Sequence, residues 1–246
     1  MDRISKLSLM GLVGVMAILT VSSPALAKPG QNWAIEGFEA SYKVKVGIAS
    51  AGAVVRLNAL GDNRFEIVSE TRAKGFASLF KRGEVYERAV FQYVDGEILA
   101  ESLVRKDTLS ADDRNCEVYY RPLENEATVI YQGEASIVEI PRDTFNPLLM
   151  QIALMQDMAL GNTPERYNIL DHAGLKSFDV SFGSEGSIDT PTGAYAAVPV
   201  DLVNLQSNAG TRMWAAPEQD WLAVVVEARK DDEVKAVLRL SNLEDS

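Results

Sequence analysis

The stretch "FEASYKVKVGI", Phe38 to Ile48, decides the fold class. Phe38, Ala40, Tyr42, Val44, Val46 and Ile48 take every second position, with Glu39, Ser41, Lys43 and Lys45 between them. Successive side chains of an extended strand point to opposite faces, so a period of two marks a strand with one buried face and one wet face. Working outward, the same pattern returns in "GAVVRLNAL", "RFEIVSE", "VYERAVFQYV", "ILAESLVRK", "CEVYYRP" and "EATVIYQG". Turn signals separate these runs: Gly61 to Asn63, Lys81 to Glu84, Val94 to Glu97, and "ENE" near Glu124. Short half-buried strands joined by such turns predict an antiparallel meander, whose apolar face needs a cover.

The cover is predicted in the middle of the chain. In "RDTFNPLLMQIALMQDMALGN", Asn146 reads as an N-cap and Pro147 as the first helical residue, where the missing N–H costs nothing. Gly161-Asn162 reads as the stop. The helix over 147–160 carries Leu148, Leu149, Ile152, Met155 and Ala159 on one face, and Met150, Leu154 and Met158 widen that face beyond a normal stripe. A helix apolar almost all round must be embedded. It either plugs the concave side of a curved sheet or forms a wall of an apolar cavity.

Strands resume with "RYNILDHAG" and "LKSFDVSFG". Thr190-Pro191-Thr192-Gly193 is predicted as a tight turn, with proline presetting φ and glycine free to take positive φ. Pro199 has no N–H for a ladder, which points to an edge or a bulge. "TRMWAAPEQDWLAVVVEARKDDEVKAVLRLSNL" adds three further runs, with Asp231-Asp232 at the last hairpin. The fold class expected is mainly β: an antiparallel curved sheet or half-barrel around one central apolar helix.

The N-terminus reads as an address. Arg3 and Lys6 precede the apolar run Leu7 to Val21, and "SSPALA" ends in Ala25-Leu26-Ala27. That order is a secretory signal peptide over residues 1–27, cleaved after Ala27, and the apolar run is short of the roughly 20 residues of a spanning helix. Residues 28–246 are then expected as a single β-rich domain, not membrane-spanning after cleavage, in the periplasm or secreted. Loss of Asp2, Arg3 and Lys6 takes the net charge from −11 to −12. So acidic a chain repels nucleic acid and anionic headgroups, and neither is expected as a partner.

The search for catalytic chemistry finds no motif. Cys116 is the only cysteine and lies in the alternating "NCEVYYR", which reads as a small apolar core residue with no internal disulfide partner. His172 is the only histidine, in the turn-like "LDHAG", which excludes a histidine-rich metal site. There is no G-x-S-x-G elbow, H-E-x-x-H pair, phosphate loop or dinucleotide fingerprint. Asp112-Asp113 and Asp231-Asp232 fit turns better than a calcium loop or a glycosidase pair. No cofactor is expected, and the chain reads as non-enzymatic.

The order of these segments resembles a known family. A signal peptide precedes "YKVKVGIASAG"; then come "GEILAESL", the helix "NPLLMQIALM", "TPTGAYAAVPVDL" and "MWAAPEQDWLAVVVEA". This layout resembles the Gram-negative envelope family known as domain of unknown function 3108, from about Phe38 to Leu243. The resemblance implies a periplasmic, β-rich protein, a curved half-barrel similar to lipoprotein carriers that hold acyl chains, and it transfers no catalytic residue. In this chain "TFNPLL" stands where the family has Asp-Pro or Asp-Leu ahead of the helix.

Three functions are open at this point. One is a binding protein for a hydrophobic or amphipathic, lipid-like envelope component, with Phe76, Phe80, Met150, Leu154, Met158, Trp214 and Trp221 as ligand-lining residues. The second is a module for an envelope protein partner. The third is a carboxylate-based hydrolase of envelope glycans.

Overall fold

The computed structural model describes residues 33–74, 83–109, 114–204 and 206–245. The signal-peptide segment, Phe76, Phe80 and Asp112-Asp113 lie outside the described residues.

The alternation at Phe38 to Val44 forms strand β1, Phe38–Val46, with Phe38, Ala40, Tyr42 and Val44 buried. Val46 and Ile48 continue the pattern in sequence but are exposed, because the chain turns at Gly47 (φ 56°) beyond the sheet's apolar face. A meander runs outward from β1 through β2 (Ala49–Gly61), β3 (Arg64–Lys74), β4 (Glu84–Val94), β5 (Glu97–Asp107), β6 (Cys116–Arg121), β7 (Glu126–Tyr131) and β8 (Glu134–Glu139). The chain continues through β9 (Thr144–Phe145), helix α1 (Pro147–Leu160), β10 (Arg166–Asp171), β11 (Gly174–Phe182), β12 (Gly186–Thr190), β13 (Gly193–Asn204), β14 (Ala209–Ala216), β15 (Leu222–Lys230) and β16 (Glu233–Asp245). The last strand pairs antiparallel with the first, Tyr42 opposite Leu240. The described strands form one sheet in the order β8 to β1, then β16 to β13, β11, β10 and β9, with β12 on a branch beside β13.

Hairpin chemistry sets the registers. Asp62-Asn63, Asp95-Gly96, Gln132-Gly133 and Asp231-Asp232 all take positive φ, the backbone that matches the right-handed twist of two-residue hairpins. Bulges at Ser41/Tyr42, Ala59/Gly61, Val90/Phe91, Trp214/Ala215 and Ala228/Arg229 add local twist and bend the strands. The result is a large curved sheet that does not close by backbone pairing. Its two ends approach through side chains: the Tyr120 hydroxyl donates to the Leu170 carbonyl at 3.3 Å, and the Tyr131 and His172 rings lie 5.4 Å apart.

Pro199 is not at an edge. β13 is internal, paired to β14 over Val198 to Asn204, and on its other side to β12 up to Ala197 and to β11 from Val200. Pro199 falls at that change of partner, where no N–H is needed, and its carbonyl still accepts from Gly183 at 2.8 Å. Only glycine fits opposite it: a Cβ on Gly183 would lie 2.7 Å from the proline ring.

The helix fills the concave side, touching β3 and β4 on one arm of the sheet and β9, β10 and β15 on the other. The Asn146 side chain accepts from the Leu148 and Leu149 N–H groups, and Gly161 (φ 73°) closes the other end in the left-handed conformation. Leu148, Leu149, Met150, Ile152, Ala153, Leu154 and Met155 are all buried. Embedding of both flanks follows from the missing polar face. Because α1 links β9 to β10 as a crossover, these two strands are the parallel pair of an otherwise antiparallel sheet.

Candidate functional site

One end of the curved sheet is open beside the C-terminal turn of α1, where a cavity of about 630 Å³ lies. Its floor comes from four adjacent strands, through Phe38 of β1, Leu57 of β2, Leu222 of β15 and Leu243 of β16. These are core-face positions of alternating strands, so the floor is the edge of the sheet's own apolar core, where Phe38, Leu57 and Leu222 are themselves buried. Met155, Ala159 and Leu160 form the helix side.

Two aromatic residues stand at the rim. Trp33 precedes β1 and is held by Tyr93: the rings meet edge to face at 5.8 Å, and the Tyr93 hydroxyl donates to the Trp33 carbonyl at 3.3 Å. Gln156 ties the helix to the same corner, donating to the Gly96 carbonyl at 2.6 Å and to the Tyr93 hydroxyl at 3.4 Å. Trp221 follows a short 3₁₀ turn at Pro217–Gln219. Asp220 and Trp221 both take left-handed backbone (φ 49° and 64°), and the Trp221 N–H donates to Ala216 at 2.9 Å. A tryptophan in this region is uncommon, and such strain costs of order 1–3 kcal/mol. It persists here where it sets the indole at the cavity wall.

The opposite end of the sheet is polar inside. Arg105 bonds Glu87 at 2.6 Å and Asp107 at 2.8 Å, and the Asp107 side chain is fully buried. Cys116 lies across the ladder from Arg105, beside a shallow hollow of about 810 Å³. Burial pushes its thiol up to about 11, against the opposing pull of Arg105. The backbone of His172 hydrogen-bonds Cys116, so the single cysteine and the single histidine do meet, through opposite arms of the sheet. Burial pushes the His172 imidazole down from its ordinary value. A thiol held protonated, in contact with the His172 backbone, is not an activated nucleophile at neutral pH. Among the described residues no three His, Cys, Asp or Glu side chains are grouped as metal ligands.

Of the seven residues read from the sequence as ligand-lining, Phe76 and Phe80 lie outside the described residues. Met150 and Leu154 are buried in the packed core, 5% and 1% exposed. Met158 and Trp214 are half-buried against that core, with the Arg212 guanidinium 6.0 Å from the Trp214 ring. Trp221 lines the cavity, on the helix flank of Met155 and Ala159. Trp33, Phe38, Leu57 and Leu243 also line it without having been singled out in the sequence: Phe38 meets Leu57 across the β1–β2 hairpin, and Leu243 joins them only because β1 pairs β16.

No family model matches the chain, and no curated protein matches it. Among solved structures, the chain is similar to a β-barrel-like protein of domain of unknown function DUF1849 from Brucella abortus, with 10% identity, 87% of this chain and 99% of that chain covered, and a TM-score of 0.57. A "putative lipoprotein" from Parabacteroides distasonis aligns at 12% identity over 85% of this chain and 96% of that chain, with a TM-score of 0.31. The first likeness establishes a β-barrel-like fold shared with an uncharacterised family. The domain of unknown function 3108 itself is not matched. No described helix is long and apolar enough to cross a membrane.

Proposed function

We propose that this chain is a non-enzymatic binding protein of the cell envelope, exported to the periplasm, that holds a hydrophobic or amphipathic molecule at the open end of its curved sheet. The observation that carries this reading is the cavity of about 630 Å³ between the α1 C-terminus and the floor formed by β1, β2, β15 and β16. Its size is in the range of small-molecule sites, and apolar side chains at the floor beneath a wall at least as polar as apolar suit a molecule with both an apolar and a polar part. The signal-peptide layout of residues 1–27 supports the compartment. Native mass spectrometry of protein purified from its own periplasm tests the reading. Bound mass released on denaturation is expected; protein that is always ligand-free and also ignores fluorescent acyl probes refutes it.

A second reading rests on β8. This edge strand pairs only with β7, and Ile137 is 69% exposed on it. An unpaired edge with an exposed apolar side chain is a template for strand addition by a partner protein, although Glu134 and Glu139 at its ends oppose unselective pairing. A pull-down that recovers one stoichiometric partner, with no bound lipid, would favour it.

A further inference from the structure

The carrier reading leaves open what charge the head of the ligand bears, and the electrostatics of the cavity address that. We infer that the occupant is an amphiphile with a cationic head, an alkyl or acyl chain ending in an amine or quaternary ammonium, and not a fatty acid or other anionic lipid. This inference rests on the carrier reading.

Glu36, Glu218 and Asp220 are the ionisable side chains that line the cavity, and no described Lys or Arg joins them. None of the three makes an ion pair or side-chain hydrogen bond with a described residue. Two arginines of the neighbouring strands are taken up elsewhere: Arg56 bonds Glu39 at 2.6 Å, and Arg212 bonds Asp201 through two nitrogens at 2.7 Å each. The three exposed rim carboxylates therefore give the cavity mouth a negative potential that no described side chain neutralises and that water and salt screen in part.

A second source of negative potential comes from the backbone. Ala159 and Leu160, the last residues of α1, line the same cavity, so the helix presents its carbonyl end there. A helix of this length carries about half a negative charge at that end. Beneath the rim the side chains are apolar: Phe38, Leu57, Met155 and Leu222, all buried, and the partly exposed Leu243.

An anionic head would meet three carboxylates and a helix C-terminus with no counter-charge. An ammonium head would donate charge-assisted hydrogen bonds to the carboxylates, a quaternary ammonium would gain their Coulomb attraction alone, and the faces of Trp33 and Trp221 attract either cation. The tail would lie on the strand floor in either case. Charge thus discriminates between ligands that the apolar floor treats alike.

The test uses three probes with one tail: dodecyltrimethylammonium, dodecanoate and dodecyl maltoside, each below its micelle concentration, followed by tryptophan fluorescence and calorimetry on the mature chain. The cation is expected to bind at least roughly tenfold tighter than the anion at low salt, with the neutral probe between them. In the variant Glu36→Gln/Glu218→Gln/Asp220→Asn, the cation is expected to lose most of that advantage while the maltoside binds as before, which also reports an intact fold. Added salt should narrow the preference, because the rim is exposed. Dodecanoate binding as tightly as the cation, or a preference that survives the triple substitution, overturns the inference and leaves the carrier reading standing. If none of the three probes binds, the carrier reading itself fails, and this inference with it.

Discussion

Leu154 and Met155 are neighbours on α1, and truncating each to alanine removes three heavy atoms, yet the structure sets them in different surroundings. Leu154 is 1% exposed in packed core, whereas Met155, at 5%, borders the cavity. The transfer part of the loss is about 2.4 kcal/mol for three methylene-sized groups. For Leu154→Ala a cavity contribution of about 1–2 kcal/mol adds to it, because a helix enclosed by a sheet cannot collapse onto the gap, giving about 4 kcal/mol. For Met155→Ala the removed volume merges with existing space and the side chain had few partners on that side. With no new enclosed cavity to add, the total should stay near the transfer part, about 2 kcal/mol. Urea denaturation monitored by far-UV circular dichroism measures both, with unchanged m-values required for the comparison. The thermal midpoint should drop by about 10 °C for Leu154→Ala and by about half that for Met155→Ala. Ile152→Ala, fully buried on the same helix, serves as the control and should resemble Leu154→Ala. Losses for Met155 and Leu154 that agree within about 0.5 kcal/mol would refute the reasoning, since Met155 would then be as tightly enclosed as the core.

Two more predictions concern single side chains. Asn146→Ala removes the acceptor for two helix N–H groups at a fully buried position, and should cost about 1–2 kcal/mol in denaturant, whereas Asn146→Asp, which keeps the acceptor, should lose less at neutral pH. Cys116 should react with an aromatic disulfide reagent at pH 8 far more slowly in the folded than in the unfolded protein. Because its thiol ionises near 11 in the fold and near 9 when free, the unfolded chain loses the proton first, so the stability this thiol contributes is full below about pH 9 and lost as pH rises through 11. Cys116→Ala should flatten the stability curve between pH 9 and 10, and a rapid native reaction at pH 8 would show the thiol to be activated after all.

Local pattern was enough for what local physics decides. Strand periodicity from Phe38, the cap at Asn146-Pro147, the stop at Gly161 and the Asp231-Asp232 hairpin all stand in the structure where the residues put them. Each depends on neighbours within a few positions: pleat alternation, an orphan N–H, a backbone that glycine or aspartate tolerates. The apolar girth of α1 likewise required it to be embedded, whatever embedded it. Only the tertiary structure decided which strands pair. β1 lies beside β16, and that single long-range pairing joins Leu222 and Leu243 to Phe38 and Leu57 in the cavity floor. It also decided that Pro199 is internal, since the change of partner from β12 to β11 is invisible along the strand itself. The meeting of Cys116 with His172, and the opening beside Met155 instead of Leu154, have the same origin. Curvature of the whole sheet brings distant arms together and leaves one end uncovered, and curvature is a sum over all strands and bulges that no single segment encodes.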